Sequence, residues 1–133
     1  MAQYIRRRSS DGDIVAFFRD TSQVGSISVT TSATAYNVSS DIRLKTNIRD
    51  FDSSGAVIDE LKPRVFDWKS GEKDTYGFVA QEVNEVYPQA VTPGDDGAYI
   101  KEIWSIDMSK LMPVVIAELK ALRRRVAELE RRG

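Results

Sequence analysis

Apolar and polar positions change rhythm along this chain. Ile14-Val15-Ala16-Phe17-Phe18 is a short apolar run, closed by the turn signal Asp20-Thr21-Ser22. From Val24 to Thr30 apolar and small polar residues alternate with period two, the pattern of a strand with one covered face. The Ser/Thr-rich stretch from Thr30 to Ser40, broken by Tyr36 and Val38, reads either as a loop or as more strand. Strands this short, with few large side chains, are marginal as an isolated sheet. Three copies wound around one axis would bury them.

The pattern becomes mixed from Ser40-Asp41 to about Ser105. Val57 to Leu61 predicts a short helix ended by Pro63. Arg64-Val65-Phe66-Asp67-Trp68-Lys69 alternates as a strand before the turn at Ser70-Gly71. Val79, Val83, Val86 and Tyr87 fall at helical spacing ahead of Pro88. Gly94-Asp95-Asp96-Gly97 is a turn, without the spacing of a calcium-binding loop, and Tyr99 to Trp104 reads as another strand. Phe66, Trp68, Phe78 and Trp104 are expected in the core.

The C-terminal segment has the clearest period. Met108, Met112, Val115, Leu119, Leu122, Val126 and Leu129 form a heptad seam. Met112, Leu119 and Val126 take a positions, and Met108, Val115, Leu122 and Leu129 take d positions. Glu118 at g would face Arg123 at e of a parallel neighbour, and Arg125 would face Glu130. A single amphipathic helix packed on its own domain is the alternative. The matched charges favour a parallel coiled coil, and leucine at d suits dimers as well as trimers. Pro113, near the helix start, marks a kink or a first-turn position.

Composition narrows the chemistry. The chain has 133 residues, 41% hydrophobic and 29% charged, with a net charge of −1 and neither cysteine nor histidine. A core of this size is limited, so oligomerisation is a live expectation. Without Cys or His there are no disulfides, no thiol nucleophile, no Cys/His metal site and no histidine base. No cofactor and no metal is expected. No apolar run approaches the ~20 residues that span a bilayer, and no signal peptide is evident, so no membrane partner is expected. The near-neutral balance argues against nucleic acid as well. Arg6-Arg7-Arg8 reads as a solvated surface rather than a phosphate site, and Arg123-Arg124-Arg125 occupies e, f and g of the heptads.

What remains for catalysis is a serine activated by a lysine. A neutral amine takes the hydroxyl proton, provided that desolvation or nearby cations keep it neutral. Ser39-Ser40-Asp41-Ile42-Arg43-Leu44-Lys45-Thr46-Asn47 supplies such a pair, although a polar loop entering a strand would look the same.

Three motifs, in order, add weight: Ser40 to Ile48, Tyr76-Gly77-Phe78-Val79-Ala80-Gln81-Glu82-Val83 with Tyr87-Pro88, and Ile106-Asp107-Met108-Ser109-Lys110-Leu111-Met112-Pro113. Together they resemble the C-terminal intramolecular chaperone domain of phage endosialidases, tail fibres, tailspikes and neck appendages, a family also catalogued as self-cleaving serine peptidases. The resemblance covers about residues 40–130. It implies an α+β architecture: residues 1–40 as the end of a β-structured fibre shaft, 41–105 as a small α+β chaperone domain, and 106–133 as a helix in a parallel trimeric coiled coil. It also implies a homotrimer that assists folding of the upstream shaft of the same polypeptide. The domain then releases itself in a single turnover by cutting between Ser40 and Asp41, with Ser40 as the essential serine and Lys45 as its base. Assembly would take place in the host cytoplasm, and the mature N-terminal part would reside in the virion tail.

Attack of Ser40 on its own carbonyl would close a strained four-membered ring. Attack by a neighbouring chain's Ser40, or assistance from the Asp41 carboxylate, are the two ways around this. A non-catalytic trimeric tip that stays attached and binds a receptor is the alternative function. A third reading is the similar self-cleaving domain of eukaryotic membrane-tethered transcription factors, against which the shaft-like residues 1–39 argue.

Overall fold

The computed structural model describes residues 4–52, 55–95, 97 and 102–133. They form mixed α+β structure with small antiparallel sheets and a long C-terminal helix, the expected fold class. The chain divides into two compact units, one ending at Arg49 and one beginning at Asp50.

In the first unit the alternating run becomes the middle strand of a three-stranded antiparallel sheet. Its strands are β1 (Gly12–Arg19), β2 (Ser22–Val29) and β3 (Thr34–Val38), in that order. The Asp20 turn holds because Asp tolerates left-handed backbone, here φ 53°. Within the Thr30–Ser40 stretch, Thr34–Val38 is strand and the flanking residues are not: Ile27 pairs with Tyr36 and Gly25 with Val38. Gly25 is required by close approach, since a Cβ there would lie 2.8 Å from the Asn37 carbonyl oxygen. Asn37 Nδ2 donates to both Ser26 Oγ (3.1 Å) and Ser28 Oγ (3.0 Å), which satisfies the buried Ser26. Phe17, Phe18, Tyr36 and Val38 stay more than half exposed, so this sheet leaves much of its apolar surface uncovered within one chain.

The second unit holds a compact core. α1 (Gly55–Glu60) ends before Pro63, as the helical run predicts. β4 (Arg64–Phe66) pairs with β5 (Thr75–Gly77), and α2 (Ala80–Val86) stops at Tyr87-Pro88. β6 (Val91–Thr92) pairs with β7 (Ser105–Ile106), and a 3-10 turn at Met108–Leu111 leads into α3 (Met112–Arg132). Val83, Ala90 and Leu111 are buried together, with Leu61, Phe78, Tyr87, Val91 and Ile106 packed around them. Arg64 reaches from β4 to Glu82 on α2, with Nε–Oε2 at 3.0 Å. Asp107 caps the 3-10 turn by accepting from Ser109 N–H, while its own N–H donates to the Ala90 carbonyl at 2.8 Å. Among the described residues no helix is long and apolar enough to cross a membrane.

Three expectations need correction. The strand expected over Arg64–Lys69 stops at Phe66. Trp68 N–H donates instead to Glu72 O, closing the turn around Gly71. The strand expected over Tyr99–Trp104 lies partly outside the described residues. Its described part, Glu102–Trp104, is not strand, and pairing occurs at Ser105–Ile106. There Gly94 permits a backbone crossing that no side chain would survive: a Cβ would sit 2.3 Å from the Glu102 oxygen. Trp68 is not a core residue. It is 52% exposed and meets Phe66 edge-on at 5.3 Å.

Leu111 joins the 3-10 turn to the core and is 5% exposed. Leu111→Ala is expected to destabilise the second unit by about 3 kcal/mol through lost burial plus a cavity. Urea unfolding followed by tryptophan fluorescence checks this. A midpoint unchanged from wild type would refute the placement of Leu111 in the core.

Candidate active site around the Ser40–Asp41 bond

Chain geometry around Ser40 is set by what precedes it. After β3, Ser39 is fastened to β2 twice: its N–H donates to Val24 O (3.2 Å) and its hydroxyl to Gln23 O (3.1 Å). Ser40 therefore leaves the sheet from a fixed edge. Immediately afterwards Asp41 starts the 3-10 turn Ile42–Leu44 as its N-cap, with extended backbone and Oδ1 accepting from Arg43 N–H at 2.8 Å. The turn closes through Leu44 N–H to Asp41 O (3.1 Å) and Lys45 N–H to Ile42 O (3.0 Å).

That turn doubles the chain back. Lys45 follows it in extended backbone, and its Nζ donates to Ser40 Oγ at 2.7 Å. The structure thus brings together the three residues expected at the site, Ser40, Asp41 and Lys45, all within the first compact unit. All three are solvent-exposed in the single chain.

The sequence reading missed Arg43. Its guanidinium forks onto the Asp41 carboxylate, with Nε 3.0 Å from Oδ1 and Nη2 2.6 Å from Oδ2. The hydrogen bond from Arg43 is the chief reason that the Asp41 carboxyl is held below its ordinary value, with the charge of Lys45 adding in the same direction. Asp-x-Arg ahead of a short turn was the available signal, since an aspartate there offers one oxygen to the backbone and leaves the other for a cation two residues on.

The heptad residues gather elsewhere. Six of them, Met112, Val115, Leu119, Leu122, Val126 and Leu129, lie along α3, whereas Met108 falls in the 3-10 turn, where three residues complete a turn. All seven are open, from 45% exposed at Leu122 to 66% at Leu129. The helix is held to its own unit by a different face, through Val114 and Ala117 at c and f, continuing from Leu111. Glu118, expected to face a neighbour's Arg123, has its carboxylate beside Gly55 at the start of α1, 3.6 Å from where a Cβ would stand. Pro113 occupies the first turn of α3, where its missing N–H is harmless.

A cavity of about 470 Å³ in the second unit is lined by residues including Phe66, Trp68, Phe78 and Trp104, and includes no residue from 40–45.

Compared with known families, residues 40–92 match a peptidase family model described as chaperone of endosialidase. The match begins at Ser40 and runs through α2. It bears out the resemblance for the two motifs that it covers, Ser40 to Ile48 and Tyr76 to Pro88, while the Ile106–Pro113 motif lies beyond the match. It supports an intramolecular chaperone role in a phage-tail setting. No curated protein matches the chain.

Proposed function

We propose that this chain, whose residues 40–92 match the chaperone-of-endosialidase family model, trimerises through α3, guides folding of the shaft upstream of it, and then cuts itself free between Ser40 and Asp41. The observation that carries this reading is the 2.7 Å contact between Lys45 Nζ and Ser40 Oγ, at the first residues of the family match. A charged lysine donates in that contact. Once neutral, the same amine accepts the serine proton across the same distance.

In the proposed reaction Ser40 Oγ of one chain attacks the Ser40 carbonyl of its neighbour. Its proton passes to Lys45 and on to the departing Asp41 amine as the C–N bond breaks. Water then hydrolyses the resulting ester. Engagement of both Asp41 oxygens by Arg43 disfavours the route that relies on Asp41. Ser40 and Lys45 are exposed in the single chain, so the shielding that a neutral amine needs would come from the assembled trimer. Cleavage is in this way coupled to correct assembly.

The device has a physical logic. Interchain strand pairing is slow to nucleate and slips in register easily. A C-terminal trimeriser raises the local concentration of the shaft strands and aligns their ends. Cutting afterwards removes the template, and the shaft persists because unfolding is slow.

Intact-mass measurement of the denatured protein tests the proposal. Wild type is expected to give one fragment ending at Ser40 and one starting at Asp41, and Ser40→Ala a single full-length mass. A whole wild type after prolonged incubation as a native trimer would sink autoproteolysis and leave a non-catalytic trimeric tip.

A further inference from the structure

Three charged side chains alternate through the turn that carries the site: Asp41, Arg43 and Lys45. Asp41 and Lys45 are four residues apart across a single tight turn, and the charge of Lys45 is felt at the Asp41 carboxyl. Left to themselves, they would form the obvious ion pair of this segment. In the structure they do not. Asp41 gives one oxygen to Arg43 N–H and Nε and the other to Arg43 Nη2, while Lys45 turns to Ser40. The planar fork of arginine fits a carboxylate on two sides, which a lysine ammonium does not match.

We propose that Arg43 is a positioning residue for self-cleavage, which occupies the Asp41 carboxylate and so reserves Lys45 for the Ser40 hydroxyl. The inference rests on the Ser40–Lys45 reading above and deepens it. An ammonium captured by a carboxylate neither reaches Ser40 nor gives up its proton readily. The Arg43 guanidinium removes that competitor without touching the reacting atoms, while the N-cap bond to Asp41 comes from the main-chain N–H of residue 43, which Arg43→Ala would keep.

A double-mutant cycle on the full chain separates this role from simple support of the turn. Cleavage would be followed by intact mass for wild type, Arg43→Ala, Asp41→Asn and the double variant, with circular dichroism and light scattering confirming that each folds and assembles. Arg43→Ala in the presence of Asp41 is expected to slow cleavage about tenfold or more, since a nearby opposite charge favours the protonated amine by that order. With Asn at position 41 the same Arg43→Ala change is expected to cost less than about twofold, because no carboxylate remains to compete. Arg43→Lys, which keeps the charge but loses the fork, is expected to fall between wild type and Arg43→Ala.

Equal slowing by Arg43→Ala in both backgrounds would overturn the proposal and leave Arg43 as a brace of the turn. Unchanged cleavage in Arg43→Ala would overturn it as well. A wild type that stays whole would remove the cleavage reading itself, whereas a cut wild type with no coupling removes only the role of Arg43.

Discussion

Leu119→Asp is expected to turn the proposed trimer into monomers and to stop the proposed self-cleavage with it. Leu119 is the central a position of the seam and is 52% exposed in one chain, although α3 is already anchored through Val114 and Ala117. The helix thus carries two apolar faces, one spent on its own unit and one without cover in the single chain. A fully buried leucine contributes about 1.5–3 kcal/mol. At one level of a trimeric seam three leucines would be lost together, and three carboxylates would crowd where burial penalises charge. Because Leu119 does not help bury the core around Val83, the monomer is expected to keep its helix signal. Light scattering with circular dichroism measures both. A Leu119→Asp protein that remains trimeric would refute the seam as the interface, and one that cleaves as a monomer would refute the coupling of cutting to assembly.

The second large effect concerns the base. Lys45→Ala is expected to reduce cleavage by about 10²-fold or more, the range of a positioned general base. Lys45→Arg is expected to be equally inactive, although it preserves charge and length, because a guanidinium does not deprotonate in a protein. This pair separates proton transfer from mere hydrogen bonding to Ser40, since arginine is also able to donate to a hydroxyl. The readout is the fraction of chain cut over time by intact mass, beside a light-scattering control for assembly. Arginine supporting cleavage near the wild-type rate would eliminate Lys45 as the base and recast the 2.7 Å contact as structural.

How far the sequence carried the fold depended on how local the determining forces were. Short-range signals were legible: the strand alternation over Val24–Thr30, the stop at Pro88, and the proline in the first turn of α3. The strand expected over Arg64–Lys69 ended early because a Trp68–Glu72 backbone bond, set by the Gly71 turn, took the groups a ladder would have used. Trp68 was expected inside on its residue type alone. Which face of so short a strand is covered depends on the partners that pack against it, and those are not visible in a run of six residues.

The site shows the same division. The chain by itself determined that no cysteine or histidine chemistry is available, that Ser40 and Lys45 stand five residues apart, and that a heptad seam runs through the last helix. These follow from composition and period, which are properties of the chain. Only the folded structure decided that Asp41 caps a 3-10 turn, that this turn returns Lys45 to Ser40, and that Arg43 takes the carboxylate between them. It also decided that α3 packs inward through Val114 and Ala117, leaving the seam outside. A spacing of five residues permits many distances between two side chains. Backbone hydrogen bonds and the competition among neighbouring charges select one, and both are settled only when the chain has folded.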